Sequence, residues 1–460
     1  MRVPLLQRTL LPFVSLALLA ALTSSCGIVA APPAGGVVVA LAMPTANVVS
    51  APRAAQPIVI ERAATAVVAA NAPESKGAPE ATQQPAAPGS ILALTQPRLG
   101  PGGLPYPLRL AQLNFGVVGH LYYTDRATAI EKTREAGFEW FRQQIHWRDI
   151  EDRSGQYFWG DLDDIVNAAN ARGVLVMLSV VRSPAWYTTN GGGGLPQDPA
   201  ALARFVSAIA QHYAGKVQAI EIWNEQNLAH ENGGHVTLED AGRYVELLKA
   251  SYEAIKAVDP SIVVVAGAPS STATNDPGIA MRDQDYLRAM YSYNGGMMRD
   301  YFDVQAVHPG GSANPPDTFV TDTPSPAQGW TDQPTFFFRH IEDARQIMQE
   351  NGLGEHQVWI TEFGWATPNN TPGFEFGNQV SFEQQRDYVV GAMRRTYQQY
   401  PWVGNMFLWN LNFTVLQAEH GVDPLHEQGS FSIVNSDWSP RPAFYAIQQF
   451  IAETRAAQGR

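Results

Sequence analysis

After Tyr106 the chain alternates short apolar runs with helical patterns, about eight times over, and few architectures accept that rhythm. The runs are Leu113–Val118, Trp140–Ile145, Val174–Val181, Val217–Trp223, Ile262–Gly267, Asp303–Val307, Val358–Glu362 and Asn405–Trp409. Amphipathic patterns fill the intervals over Arg126–Ala136, Leu162–Ala171, Pro199–Tyr213, Leu238–Val258, Gln284–Tyr293, Thr335–Asn351 and Phe382–Tyr400. A last helix over Pro442–Ala457 closes the series. Unbroken apolar runs suit strands covered on both faces, as in a parallel sheet flanked by helices. Boundary signals agree, with Asp198-Pro199 before the third helix and Asp259-Pro260 after the fourth. Eight such units in roughly 350 residues predict the α/β class and a (β/α)8 TIM barrel with enlarged loops. That domain is placed at 106–460. A doubly wound open sheet is the alternative, disfavoured because no glycine-rich phosphate loop follows the first strand. No repeat of the solenoid kind is present.

The residues before the barrel differ in kind. Arg2 and Arg8 precede an apolar stretch from Leu10 to Leu22, too short for a membrane span but right for an export signal. Leu22-Thr23-Ser24-Ser25-Cys26 then resembles a bacterial lipobox, with Leu22 one place too far upstream and Thr23 in its position. The resemblance implies a lipoprotein-type signal peptide over 1–26 with Cys26 lipidated; ordinary cleavage nearby is the alternative. Residues 27–105 are dominated by Ala, Pro, Val and Gly, and predict a disordered N-terminal tether. Cys26 is the only cysteine, so an intramolecular disulfide and a multi-cysteine metal site are both excluded. A net charge of −12 with no Lys/Arg-rich run argues against nucleic acid and against adhesion to anionic lipid. Membrane contact is then expected only through the lipid anchor, on an exported protein held at the cell surface.

Two motifs carry the chemistry: Glu221-Ile222-Trp223-Asn224-Glu225 and Trp359-Ile360-Thr361-Glu362-Phe363-Gly364-Trp365. Each is an apolar run that ends on an acid, and a carboxylate is costly there unless the site uses it. Alone, a strand-end glutamate is as ordinary as a salt bridge or a helix cap. Two of them at the C-terminal ends of separate barrel strands can converge on one cleft, and a carboxylate pair is the equipment for cleaving glycosidic bonds.

Trp223-Asn224-Glu225 and Thr361-Glu362-Phe363-Gly364-Trp365 closely resemble the acid/base and nucleophile signatures of the retaining glycoside hydrolases of clan A, nearest to families 39 and 5. The resemblance runs from roughly Leu113 to Phe450. It implies that Glu225 is the acid/base and Glu362 the nucleophile, with carboxyl groups about 5–5.5 Å apart. Glu225 then has to be protonated near neutral pH, which burial and the charge of Glu362 favour. Asn224 matches the residue that hydrogen-bonds the sugar 2-hydroxyl, and Arg142 the arginine that keeps the nucleophile ionised and oriented. His308 in Val307-His308-Pro309-Gly310-Gly311 lies where it could reach the sugar. Many relatives carry a tyrosine just after His-Pro; this chain has Gly310. Trp409 matches the tryptophan beneath the cleaved sugar, and Trp186, with Trp147 and Trp365, offers further aromatic faces for sugar C–H surfaces.

The implied substrate is a β-linked oligo- or polysaccharide, and neither a metal nor an organic cofactor is implied. His230 and His235 are spaced i, i+5 across Gly233-Gly234, which does not fit a zinc helix. Glu419-His420 with His426-Glu427 could clasp a cation or simply form a solvated loop. A transglycosylase working through the same covalent intermediate, and a non-catalytic carbohydrate-binding protein, are the rival functions.

Overall fold

Eight parallel strands close in sequence order into a barrel, β1-β2-β3-β4-β5-β6-β7-β8, with β1 paired to β8. This computed structural model describes residues 112–189, 192–322, 330–423 and 425–460. The signal peptide, the tether and Cys26 lie outside the described residues. The strands are β1 Asn114–Val118, β2 Trp140–His146, β3 Leu175–Val181, β4 Ala219–Ile222, β5 Val263–Ala266, β6 Val304–Val307, β7 Gln357–Phe363 and β8 Val403–Trp409. The outer helices are α1 Arg126–Glu135, α2 Gly160–Ala171, α3 Pro199–His212, α4 Glu239–Val258, α5 Asp283–Ser292, α6 Ile341–Glu350 and α7 Phe382–Gln399. Two short ones, α8 Phe413–Glu419 and α9 Glu427–Ser430, sit in the loop after β8, and α10 Pro442–Ala457 ends the chain.

Local chemistry explains the boundaries. Asp198 caps α3 by accepting from the Ala200 amide, with Pro199 in the first turn, where a missing N–H does no harm. Ser381 and Gln384 form a reciprocal capping box at the start of α7. In α3 the buried positions Ala201, Leu202, Phe205, Val206, Ile209 and Ala210 trace one apolar stripe, which packs onto the barrel.

The barrel interior near the N-terminal ends of the strands is plugged by aromatic rings. Trp140 and Trp359 lie on strands that are not neighbours, yet their ring centroids are 5.4 Å apart, so they meet inside the barrel. Phe407 joins them at 6.3 Å and 6.2 Å. A Cβ on Gly116 would lie 2.4 Å from the Phe407 ring, so β1 gives up a side chain there to admit it.

The expected helix over Thr335–Asn351 begins only at Ile341. Two single 3₁₀ turns, Pro334–Phe336 and Phe338–His340, precede it, separated by Phe337 in an extended conformation (φ −122°, ψ 138°). Phe336, Phe337 and Phe338 are all buried, and consecutive residues of a helix with one core-facing stripe cannot all face inward. The two short helices after β8 fall in a stretch expected to be loop.

Candidate active site

Arg142 stands within β2 with its side chain entirely buried, and a cation there needs partners. It donates to Glu221 Oε2 from Nε at 2.9 Å and from Nη2 at 2.7 Å. Nη1 donates to Glu362 Oε1 at 2.7 Å. Nη2 also reaches Asn224 Oδ1 at 2.7 Å and Ser179 Oγ at 3.3 Å. Burial works against this charge; Glu221, then Glu362, outweigh it and hold the guanidinium above its ordinary pKa.

The chain leaves β4 through strained backbone. Trp223 and Glu225 have φ of 68° and 49°, a region unfavourable for both residue types, at a cost of about 1–3 kcal/mol each. The contortion is held by Trp223 Nε1 donating to the Glu231 carbonyl (3.2 Å) and the Glu225 amide donating to the Ala268 carbonyl (2.8 Å). Between them Asn224 and Glu225 turn into the barrel mouth. On β7 the register against β8 slips between Ile360 and Phe363, and such an irregularity re-aims the side chains within it. Thr361 and Glu362 both reach the site as a result. A Cβ on Gly364 would lie 2.4 Å from the Trp409 carbonyl oxygen, so glycine lets the end of β7 lie against that of β8.

His308, just after β6, joins the two acids. Its Nδ1 is 3.1 Å from Glu225 Oε1; its Nε2 is 3.0 Å from Thr361 Oγ1 and 3.9 Å from Glu362 Oε1. Ser271 Oγ donates to the His308 carbonyl at 2.6 Å and fixes the turn. Burial disfavours the imidazolium, but Glu362 and the hydrogen bond to Glu225 outweigh it, so the His308 pKa lies above the ordinary imidazole value. Glu225 and Glu362 are each only 2% exposed, and one ligating atom from each of Glu225, His308 and Glu362 lies within 4.8 Å of the others. Among the described residues this is the one cluster spaced to hold a cation, but Arg142 and His308 already bring positive charge to the acids. The cavity above them is walled by Ser270, Ser271, Pro309, Gly310, Trp409 and Phe431.

Glu225, Glu362, Asn224, Arg142, His308 and Trp409 thus come together. Trp186 does not join them: it stands on the turn after β3, 37% exposed and outside the cavity lining, with the Arg153 guanidinium 5.4 Å from its ring. Trp147 and Trp365 are buried and committed to packing, the first stacked between Tyr187 and Phe205, the second filling the space over Gly311. Gly310 sits in the cavity wall, where relatives were expected to carry a tyrosine. In the loop after β8, His420 bonds the Tyr123 carbonyl and His426 pairs with Glu427, so the two histidines have separate partners. Ser270, Ser271 and Phe431 were not anticipated. Their residue types carry no chemical signal in a sequence, and only the position of the two serines after the fifth strand could have pointed to them.

A family model described as cellulase (glycosyl hydrolase family 5) matches residues 109–407. No curated protein matches the chain in sequence. Among solved structures, a family 39 glycoside hydrolase from the gut symbiont Bacteroides cellulosilyticus WH2 is similar, with a TM-score of 0.53 and 20% identity over 74% of this chain and 63% of that one. The chain therefore spans less than two thirds of that protein. A glucosidase from Croceicoccus marinus gives a TM-score of 0.52 at 14% identity, over 76% and 69% of the two chains. The Streptomyces cattleya protein GH5_18, solved in complex with GlcNAc, gives 0.52 at 16% identity, over 76% and 80%. At these identities the structural likeness speaks for the fold alone.

Proposed function

The chain belongs to glycosyl hydrolase family 5, and from that premise we propose that it cleaves β-linked glycans with retention of configuration, Glu362 acting as nucleophile and Glu225 as acid/base. The carboxyl spacing carries this reading. Oxygens of the two acids lie within 4.8 Å, close to the roughly 5–5.5 Å of retaining pairs and well short of the roughly 6.5–9.5 Å that admits a water in inverting ones.

In the first step the Glu362 carboxylate bonds to the anomeric carbon while Glu225 gives its proton to the departing glycosidic oxygen. In the second, Glu225 takes a proton from water, whose oxygen attacks the same carbon and releases Glu362. Two inversions restore the original configuration. Arg142 keeps Glu362 ionised for the attack. His308 can donate to Glu225 Oε1 once Glu225 has lost its proton, which steadies the base form.

The free donors suit a sugar. Arg142 occupies Asn224 Oδ1, which points the amide nitrogen away, and that buried Nδ2 has no acceptor. Trp409 Nε1 is likewise buried and without one, on a residue that lines the cavity. Buried donors are normally satisfied, so a bare one on the cavity lining, with a second on the residue beside Glu225, is consistent with a hydroxyl-rich ligand. Substrate is thus a β-linked oligo- or polysaccharide. From its sequence alone we also place the protein outside the cytoplasm, anchored through a lipid on Cys26.

A panel of aryl β-glycosides tests the reaction class. Hydrolysis in water with the β-anomer of the sugar released first is the expected result. Turnover only with an added acceptor sugar would make the protein a transglycosylase, and binding without turnover a lectin.

A further inference from the structure

Glu221 opens the first acidic motif, and double displacement gives it no task. It lies on β4 with no exposed surface, and its Oε2 accepts both Nε and Nη2 of Arg142. Its Oε1 is buried and receives no donor. A glutamine oxygen could accept from the same two nitrogens, though less strongly, without burying a charged oxygen that nothing solvates. The position uses the charge.

The guanidinium is therefore held from two sides, with Glu221 on its Nε/Nη2 edge and Glu362 on Nη1. Released from Glu221, it could turn both terminal nitrogens to Glu362 in the two-pronged arrangement that binds carboxylates most tightly. A carboxylate so well satisfied is a poor nucleophile. We propose that Glu221 is a positioning residue for Glu362: it anchors Arg142 from behind and takes up part of its charge, so that Glu362 stays ionised yet reactive. This rests on the double-displacement reading, which makes Glu362 the attacking group.

Other charged or titratable groups around Glu362 do not duplicate the role. Glu225 and His308 face it from the ends of β4 and β6. Tyr244 of α4, near Glu221, stays a neutral phenol because burial raises its pKa, and its hydroxyl donates to the Ile222 carbonyl. Arg142 touches both Glu221 and Glu362.

Glu221→Gln tests the charge at constant shape. The acid limb of kcat/KM against pH is expected to move down by roughly one pH unit, with kcat reduced on the order of tenfold. A ¹³C-carboxyl titration of Glu362, assigned by the signal lost in Glu362→Gln, should move the same way. It needs no turnover, so the two failures are told apart: an inert substrate panel would sink the hydrolase reading, and an unmoved titration would sink this one alone. Glu221→Asp keeps the charge but shortens the reach; here the titration should hold its place while kcat falls. An unmoved Glu362 titration in Glu221→Gln, or a displaced one in Glu221→Asp, would reduce Glu221 to a structural ion pair.

Discussion

The two ends of the barrel bury charge in opposite ways. At the N-terminal end Lys256 and Asp303 form one pair at 2.7 Å, with Lys256 also donating to the Ile262 carbonyl, and the rings of Trp140, Trp359 and Phe407 fill the barrel interior. Cation and anion match one to one. At the C-terminal end Glu221, Glu225 and Glu362 surround a single guanidinium and one histidine. Buried carboxylates in excess of their cations, carried on strained backbone, serve stability poorly and acid–base chemistry well. The lower end holds the fold and the upper end uses it.

Substitutions at the two ends should therefore fail in different currencies. Glu362→Ala should lower the rate on every glycoside by on the order of 10⁴-fold or more, whatever the leaving group, with its melting temperature unchanged or raised. Glu225→Ala should lose roughly 10²–10⁴-fold on poor leaving groups. It should keep its first step on activated phenols, and azide should restore turnover as a β-glycosyl azide. A β-configured azide from Glu362→Ala, with the inverted α-azide from Glu225→Ala, would exchange the two roles.

Phe407→Ala, two residues before Trp409, should behave the other way. Removing a buried phenyl ring costs about 3–5 kcal/mol of stability, read as a lower denaturant midpoint. The rate per folded molecule should stay near that of the parent. A large loss of rate with an unchanged midpoint would erase the division between the two ends.

The smallest effect concerns a buried clamp between the loops that follow β5 and β6. His340 Nε2 lies 2.7 Å from Asp283 Oδ2 and Nδ1 lies 2.8 Å from Asp343 Oδ2. Burial works against its charge, but Asp283 and then Asp343 outweigh it and push the His340 pKa up to about 10. A raised folded-state value stabilises fully below the ordinary imidazole pKa of about 6.5, and that stabilisation is lost as pH climbs towards 10. The melting-temperature gap between the parent and His340→Gln should accordingly be widest near pH 6 and close by pH 10. A gap independent of pH would mean that the imidazole acts by packing alone.

What the sequence could disclose follows the same division. The strands were legible because a parallel sheet buried on both faces writes itself as apolar runs, and the two acids because they interrupt such runs at their ends. The pairing of Arg142 with Glu221 was not legible, since it joins residues 79 positions apart across the barrel. Tryptophans were the least legible of all. Trp409, Trp186, Trp147 and Trp365 each follow or end a strand, yet one lines the cavity, one stands at the rim and two are packing. Strand order cannot separate those fates, because they depend on which glycines make room. Gly311, where a Cβ would fall 2.2 Å from the Trp365 ring, draws that side chain into the core.

The most direct test of Glu362 as the nucleophile is to trap the covalent intermediate. The protein would be incubated with 2-deoxy-2-fluoro β-glycosides bearing a good leaving group, in gluco, xylo and manno forms, then digested and mapped by mass spectrometry. One glycosyl unit attached to the peptide that carries Glu362 is the expected result. A label on Glu225, or no label together with release of the α-anomer from a turned-over substrate, would contradict it.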